Sequence, residues 1–521
     1  MLFSSEQSPL MNAISLSIFA NRIDAICAEM GATLQKSAFS PNIRDRLDYS
    51  CAIFDAAGEL CAQAAHIPVH LGSMAFAMRD LVASIQWQSG DMIVLNDPYK
   101  GGTHLPDVTL VSPLFINSEL IGFVANRAHH ADIGAETPGS MPLSSSLLEE
   151  GLIIEPSLIV KGNVIEQAYF DDLMAHMRNQ QASAGDFIAQ IAANRRGLQR
   201  LSALIEKIGE EVYLESLESL NAYAATLARH SLSGIARGAY SFSDVLDDDG
   251  QGNKNIEITA KVSFVNDHVT VDFAGSAKQV AGNINCPLSV TAAAVYYVFR
   301  CLMPEQTPAC AGSFKNISIL APQDSVVNAS YPAAVAAGNV ETSTRIVDVV
   351  LGALAKALPE KIPAASHGSM NNLAMGYVGD NKNPAWDYYE TIGGGMGASM
   401  NADGLDAVQT HMTNTLNTPI EALELNYPIR VNRYQIRQNS SGAGNKKGGE
   451  GLIREYEFLA PAQVTILSER RSQQPWGLAN GANAASGENL LNQEVLQSKQ
   501  SIKVQRGDVI SIKTAGGGGF G

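Results

Sequence analysis

Two apolar runs joined by Asn117-Ser118 restrict the fold of this chain more than any other feature of its sequence. They lie in VTLVSPLFINSELIGFVANRAHH, residues 108–130, and each run has the length and composition of a β-strand. Strand-like runs separated by two turn-forming residues predict an antiparallel β-hairpin. In such a hairpin the start of the first strand lies beside the end of the second. The residues that precede the hairpin and those that end it are therefore expected to be neighbours in space.

Histidine and aspartate residues occupy both of these positions. The preceding loop, NDPYKGGTHLPDVTL, is broken by glycine and proline and carries His104 and Asp107, while the second strand ends at His129, with Asp132 three residues later. Imidazole and carboxylate groups are ligands for zinc, manganese or iron. The two H-x-x-D segments therefore predict up to four metal ligands at one end of the hairpin. A surface or hydrogen-bonded His–Asp pair is the alternative at each position.

Two further segments supply candidate ligands. Asp48, in RDRLDYS, leads directly into the strand-like run CAIFD and is placed to complete a metal shell. His66 and His70 in HIPVH have the i, i+4 spacing of ligands on one helix face, but Pro68 between them disfavours a helix interior. This pair is expected to line the active cleft or to pack rather than to bind a metal.

Other catalytic and nucleotide-binding patterns are disfavoured. Cys51 and Cys61 lie in apolar strand contexts, where a buried structural thiol is expected. There is no GxSxG motif, and no Gly-Lys dipeptide that could form a Walker A loop. The glycine-rich segment 393–401 resembles a phosphate loop only in its glycine content, and the segment 442–451 is interpreted as a flexible turn rather than as a nucleotide cradle.

Strand and helix patterns alternate along the whole chain. Helical periodicity is expected over residues 16–34 and 186–229, and strand-like hairpins elsewhere. This mixture predicts an α/β fold (mixed α+β, multi-layered) with mixed sheets. At roughly 150 residues per domain, 521 residues suggest about three to four units. With soft boundaries, we expect an N-terminal metal-site region at 1–240, a central mixed α/β region at 241–430 and a C-terminal β-rich region at 431–521.

Charge and composition exclude several classes of partner. Lys and Arg number 36 against 52 Asp and Glu, a net charge of −16 that would repel nucleic acid and anionic membranes. No apolar run approaches the roughly 18 residues of a membrane helix, and the N-terminus lacks a basic region before an apolar segment. The six cysteines form no CxxC pair. We therefore expect a cytoplasmic protein with reduced thiols.

A series of long motifs is spread between Arg44 and Gly521. They follow one another in this order: RDRLDYSCAIFD, HIPVHLGSM, NDPYKGGTHLPDVTLVSPLF, AHHADIGAETPGSMP, AGNVETSTRIVDVV, HMTNTLNTPIEALE and AGGGGFG. Together these motifs resemble the hydantoinase B/oxoprolinase family. One departure is that RDR stands where an Arg-Glu-Arg-like run is expected, a conservative change.

The resemblance implies a metal site and catalytic neighbours. The family's divalent metal, zinc or else manganese or iron, would be held by residues in matching motifs, and two adjacent residues, His130 and Asp132, would orient a ligand or transfer a proton. The implied metal ligands are Asp48, His104, Asp107 and His129.

The resemblance also implies the reaction. The chain would be the B subunit of an ATP-dependent cyclic-amide hydrolase of the hydantoinase, 5-oxoprolinase or lactamase type, in a hetero-oligomer with a hydantoinase A/oxoprolinase A-type subunit that binds ATP. That partner would phosphorylate the amide oxygen, and water activated by the metal would then open the ring. The alternatives are a subunit of an ATP-dependent ketone carboxylase of the acetone or acetophenone carboxylase type, and a non-catalytic scaffold for the partner.

Overall fold

The computed structural model describes residues 13–65, 67–265, 267–380 and 384–521. The long N-terminal helix matches the predicted periodicity, and the helical stretch predicted after residue 186 is a helical pair. The helices of the described part of the chain are α1 (Ala13–Ser37), α2 (Pro41–Arg44), α3 (Pro68–Ser84), α4 (Gln167–Ala175), α5 (Gln180–Ile208), α6 (Glu210–Ser233), α7 (Leu288–Cys301), α8 (Ser343–Ala355) and α9 (Ile420–Asn426).

The first sheet, sheet 1, is antiparallel throughout and has the strand order β2-β1-β5-β4-β3-β6-β7. The predicted hairpin forms its centre, and Asn117 and Ser118 both have positive φ in the turn. Its strands are β1 (Tyr49–Asp55), β2 (Leu60–Ala65), β3 (Met92–Leu95), β4 (Asp107–Ile116), β5 (Glu119–His129), β6 (Ser157–Lys161) and β7 (Val164–Ile165).

Both faces of sheet 1 are buried. Alternate side chains of a strand point to opposite faces, so Cys51 and Ile53 pack into the core that includes α1, α5 and α6, while Ala52 and Phe54 pack against α3. This double burial explains why β1 is apolar at successive positions rather than at every second one. The hairpin is therefore held between helical layers, and the end opposite its turn, at Asp107 and His129, is removed from solvent.

Sheet 2 contains the one parallel pair among the described strands. Its order is β11-β10-β9-β8, with β10 and β11 parallel and the other pairs antiparallel. Helix α8 packs on β8 and β9, and α7 packs on α8. The strands of sheet 2 are β8 (Gly238–Asp248), β9 (Lys254–Val265), β10 (His268–Asp272) and β11 (Ile317–Leu320).

The strands of sheets 3 and 4 alternate along the C-terminal part of the chain. Sheet 3 has the order β13-β12-β16-β19 and sheet 4 the order β14-β15-β20-β17-β18, with all pairs antiparallel. The strands are β12 (Asn372–Tyr377), β13 (Trp386–Glu390), β14 (Ile429–Arg437), β15 (Gly451–Phe458), β16 (Ala462–Leu467), β17 (Glu488–Leu491), β18 (Glu494–Val495), β19 (Lys499–Val504) and β20 (Val509–Lys513).

The glycine-rich segments are packed together rather than free. Gly449 N donates to Met396 O at 2.8 Å, and Gly517 N, near the C-terminus, donates to Gly449 O at 2.9 Å. A Cβ added at Gly517 would lie 2.0 Å from Met396 O, so the backbones approach more closely than any side chain allows. Residues 442–451 form an irregular segment whose ends, 442 and 448–451, are buried, whereas 443–445 and 447 are exposed.

The mixed α/β class is confirmed, with one mixed and three antiparallel sheets. The inference from Pro68 is confirmed, because Pro68 is the first residue of α3 and does not lie in a helix interior. Proline is compatible with that position, since the first helical N–H has no intrahelical acceptor. His66 lies outside the described residues. Among the helices described, none is both long and apolar enough to cross a membrane.

Candidate metal centre

The hairpin brings the predicted residues together. In the β4–β5 pairing, Asp107 lies directly opposite His129. His104, three residues before the strand, is folded back by the loop so that one ligand atom of each residue lies within 4.8 Å of the others. We refer to His104, Asp107 and His129 as the triad. Its members are 0%, 1% and 2% exposed, respectively, so the cluster is buried rather than a surface pair.

Asp107 is the centre of the triad. Its Oδ1 lies 3.2 Å from His104 Nε2 and 3.3 Å from His129 Nδ1, and the two imidazole rings are 5.1 Å apart. His104 Nδ1 faces the main-chain oxygen of Ala336 at 3.2 Å. In contrast, His129 Nε2 is buried and has no hydrogen-bond partner. A buried polar atom without a partner points to a bound ligand, and this donor set fits a divalent metal.

The electrostatics of the triad favour an ionised carboxylate. Burial by itself would raise the pKa of Asp107, but the neighbouring His104 and His70 and the hydrogen bonds from His104 and His129 hold this pKa well below its ordinary value. Burial lowers the pKa of His129 and thereby favours its neutral form. Burial also opposes the charged form of His104, yet the adjacent Asp107 raises the pKa of that imidazole.

His70 lies beside the triad without being one of its members. It lies on α3, and its Nε2 is 3.3 Å from Asp107 Oδ2. Two further groups donate to the same oxygen: Thr103 Oγ1 at 2.6 Å and Asn339 Nδ2 at 3.2 Å. Asp107 is thus fixed from three segments. These contacts agree with the expectation that His70 lines the cleft or packs rather than binding a metal.

An aromatic ring covers one side of the triad. The rings of Tyr389, on β13, and His129 are stacked with centroids 4.8 Å apart and planes inclined by 14°. The Tyr389 hydroxyl donates to Asn372 Oδ1 at 2.7 Å, and the buried Arg46 guanidinium lies 4.9 Å from the ring centroid. No local sequence pattern indicated this contact, because β13 lies about 260 residues after the hairpin and reaches it only through tertiary packing.

The segment that supplies Asn339 is a π-helical turn, Gly338–Thr342, directly before α8. Such turns are often found at functional sites. Glu341 in this turn is buried, and its Oε1 accepts from Met370 N at 2.9 Å and Asn372 Nδ2 at 2.6 Å, whereas Oε2 has no partner. Burial, assisted by the charge of Glu469, raises the pKa of Glu341 to about 7.

Asp48 lies beside the triad but is not one of its members. Its main-chain oxygen accepts from His129 N at 3.0 Å. The residue is 6% exposed, and its carboxylate Oδ2 lies 3.9 Å from Arg46 Nη2. The negative charge of Asp48 is one of the influences that raise the pKa of His129 against the larger effect of burial.

His130 and Asp132 form hydrogen bonds with residues outside the triad. His130 Nε2 lies 2.9 Å from Gln190 Oε1, and its ring packs on Phe187 at 4.5 Å between centroids. Asp132 accepts hydrogen bonds from Gly134 N at 2.9 Å and from the main-chain N of Arg178 at 2.5 Å. Their assignment to proton transfer stays a prediction.

Two relatives align with this chain over nearly its full length. The 5-oxoprolinase of Dictyostelium discoideum is 39% identical, covering 98% of this chain but 40% of its own length. The putative B subunit of a D-/L-hydantoinase from Pseudomonas sp. is 32% identical, covering 98% of this chain and 90% of the relative. The chain thus spans less than half of the 5-oxoprolinase it matches.

Two solved structures share the fold. The ATP-dependent caprolactamase from Pseudomonas jessenii has a TM-score of 0.91 at 27% identity, covering 98% of this chain and 91% of the other. An acetone carboxylase structure has a TM-score of 0.85 at 18% identity, covering 97% and 75%, which shows the fold alone. The sequence profile described as Hydantoinase B/oxoprolinase matches residues 12–521. With this match over all four sheets, the chain belongs to the hydantoinase B/oxoprolinase family.

Proposed function

We propose that this chain is the metal-bearing B subunit of an ATP-dependent enzyme that hydrolyses cyclic amides. The observation that carries the proposal is the buried triad, in which two imidazoles adjoin a carboxylate held ionised and His129 Nε2 has no hydrogen-bond partner. The names of the hydantoinase and caprolactamase relatives support the substrate class. The particular lactam, hydantoin or 5-oxoproline is set by the shape of the site rather than by its ligand set.

The proposed metal ligands are the triad and Asp48. His104, Asp107 and His129 supply the mixed imidazole and carboxylate set that zinc, manganese and iron accept, and Asp48 is the adjacent further carboxylate. A divalent cation held there would act as a Lewis acid and would make a bound water acidic near neutral pH. The surrounding residues of this chain exclude water from the triad and fix its geometry.

Supporting residues set the orientation of each ligand. His70, Thr103 and Asn339 fix one oxygen of Asp107, which leaves the other directed at the two histidines. Tyr389 holds the plane of the His129 ring by stacking. The contacts of His130 and Asp132 with Gln190 and Arg178 favour a positioning role, and proton transfer by either residue would require it to reach the reacting atoms.

The proposal includes a second, A-type subunit that binds ATP. It is supported by the relative named as the B subunit of a hydantoinase and by the limited share of the 5-oxoprolinase that this chain covers. An unstrained cyclic amide is a poor electrophile because of resonance. Transfer of the γ-phosphoryl group to the amide oxygen by the partner would remove that resonance before water attacks the carbon. A cytoplasmic location is part of the same proposal.

The test is reconstitution of the full chain with an A-type partner from the same organism. We expect ring opening of a lactam, hydantoin or 5-oxoproline that requires ATP, the partner and a divalent metal together. His129→Ala should abolish this turnover, whereas His176→Ala, which changes an exposed histidine, should retain it. Bicarbonate-dependent consumption of a small ketone would instead support the carboxylase alternative, and full activity of a folded His129→Ala variant would support the scaffold alternative.

A further inference from the structure

A segment with no polar side chain lies against the triad. Its sequence is Ala-Ala-Val-Ala-Ala, residues 333–337, and positions 334–337 are buried. We refer to residues 333–337 as the alanine segment. Its oxygen at Ala336 lies 3.2 Å from His104 Nδ1. Buried main-chain N–H and C=O groups require hydrogen-bond partners, and alanine and valine side chains offer none. The partners of the alanine segment must therefore come from other parts of the chain.

One carboxylate oxygen binds two N–H groups of this segment. Glu150 Oε1 accepts from Val335 N at 2.8 Å and from Ala336 N at 2.9 Å. The same oxygen accepts from Ser144 Oγ at 2.8 Å. Glu150 is 0% exposed and directly follows the short helical turn Leu147–Glu149. It thus joins two parts of the chain that are 185 residues apart.

Ala336 transmits this constraint to the triad. Its N–H is held by Glu150, and its carbonyl oxygen faces His104 Nδ1. Because a carbonyl oxygen can only accept, Nδ1 is the donor in this contact. The other ring nitrogen, Nε2, faces Asp107 Oδ1 at 3.2 Å and is the nitrogen available to a metal. The hydrogen bond made by one ring nitrogen determines which nitrogen of a histidine binds a metal.

Burial makes the position of Glu150 unfavourable for a carboxylate. Its Oε2 has no hydrogen-bond partner, and burial raises the pKa of Glu150 to about 7. The hydrogen bonds to Oε1 and the charge of nearby His104 act in the opposite direction. An apolar residue would avoid this cost of burial but could not bind the two N–H groups. A buried carboxyl of this kind beside a candidate site is therefore a candidate for a functional role.

We propose that Glu150 is a positioning residue for His104: by binding the N–H groups of Val335 and Ala336, it holds the Ala336 oxygen at His104 Nδ1 and directs Nε2 toward the metal. The inference rests on the proposed function, because it takes the triad to bind a divalent cation. Glu150 contacts neither metal nor substrate in this role. The reach of its side chain is decisive, since one acceptor must extend to two fixed N–H groups, whereas its charge is secondary.

Two substitutions separate reach from charge. Glu150→Asp keeps the carboxylate but is one methylene group shorter, so its oxygens are drawn away from the two N–H groups. Glu150→Gln keeps an oxygen at the original reach and removes the charge. Cobalt(II) titration of the full chain, with a competing chelator, measures metal affinity. We expect Glu150→Asp to weaken cobalt binding about tenfold or more, and Glu150→Gln to restore it to within about threefold of wild type.

A variant destabilised elsewhere is the control for a merely structural effect. Gly517→Ala crowds the backbone of a remote segment and should leave cobalt affinity within about threefold of wild type. The visible absorption of bound cobalt(II) is a second readout, because it reports the geometry of the ligands. At saturating cobalt we expect this spectrum to change in Glu150→Asp and to match wild type in Glu150→Gln. Loss of stability alone would not alter it.

Wild-type affinity in a folded Glu150→Asp chain, an equal loss in Glu150→Gln, or the same loss in Gly517→Ala would each overturn the proposal. If Glu150→Asp does not fold, histidine NMR of the unaltered, zinc-loaded chain provides the test. His104 should then carry its proton on Nδ1, and a proton on Nε2 would overturn the role of Glu150. Failure of the wild-type chain to bind cobalt(II) or zinc would instead contradict the proposed metal site, so the two failures are distinguishable.

Discussion

At the scale of single residues, the triad depends on how Asp107 is held. His70, Thr103 and Asn339 meet one oxygen of this carboxylate from three separate segments. Groups that orient metal ligands in this way commonly contribute 10- to 100-fold to metal affinity. The histidine on α3 is therefore expected to matter for metal binding without itself belonging to the triad.

Replacing His70 by alanine should weaken metal binding by about 10- to 100-fold while leaving the fold intact. The reason is that Asp107 would lose one of its three orienting contacts and gain rotational freedom. Competition titration with a chelator of known affinity measures the effect, with His176→Ala as the control. Unaltered metal affinity in a folded His70→Ala chain would show that the 3.3 Å contact with Asp107 is incidental.

A second residue-scale prediction concerns pH and Glu341. Because burial raises the pKa of this carboxyl from 4.5 to about 7, the folded chain binds its proton more tightly than the unfolded chain does. The resulting stability is complete below about pH 4.5 and is lost as pH rises through about 7. Relative to wild type, Glu341→Gln should therefore raise the free energy of unfolding by roughly 3 kcal/mol at pH 8 and by less than about 1 kcal/mol at pH 5.

Denaturant unfolding of both chains at the two pH values measures this difference. Glu494→Gln, which changes an exposed carboxyl, should show no such dependence on pH. A gain of equal size at pH 5 and pH 8 would mean that the Glu341 carboxyl keeps an ordinary pKa in the folded chain.

The sequence predicted part of this site for a definite reason. His104, Asp107 and His129 flank one hairpin, so a local pattern was sufficient to place them together. Asn339 and Tyr389 come from segments more than 200 residues away, and their approach depends on packing between sheets that no periodicity encodes.

At the scale of elements, the glycine segments show what close backbone packing requires. Gly517 N bonds to Gly449 O, and Gly449 N bonds to Met396 O, so three segments are linked through their main chains. Glycine content alone indicated a flexible turn at 442–451, because composition does not reveal which backbone will pack against which. The strands and long helices were more predictable, since their side-chain periodicity records which faces are buried.

Gly517→Ala should lower the free energy of unfolding by about 1–3 kcal/mol, because its Cβ would meet Met396 O at 2.0 Å and force the two backbones apart. The matched control is Gly234→Ala, where an added Cβ meets no atom within 4 Å and φ is −81°. Thermal unfolding of both variants and of wild type measures this loss of stability. Equal stability of the two variants would contradict the close packing of these segments.

At the scale of the whole molecule, the buried triad lies where sheet 1 meets the segment before α8 and strand β13 of sheet 3. The mixed α/β class followed from the alternation of strand and helix patterns, but the order of strands in each sheet did not. That order arises from contacts between distant segments, as in sheet 3, where β12 pairs with β16 and β16 with β19. The proposed boundaries at about 240 and 430 stay predictions.

The proposed function requires that the triad binds a divalent cation, and this binding is measured by the metal content of the purified full chain. After incubation with zinc, manganese or iron(II) and removal of free ions, we expect close to one ion per wild-type chain. Less than about a tenth of that amount should remain in folded Asp107→Asn and His129→Ala chains. Equal metal content in wild type and both variants, or no uptake by the wild type of any of the three ions, would contradict metal binding by the triad.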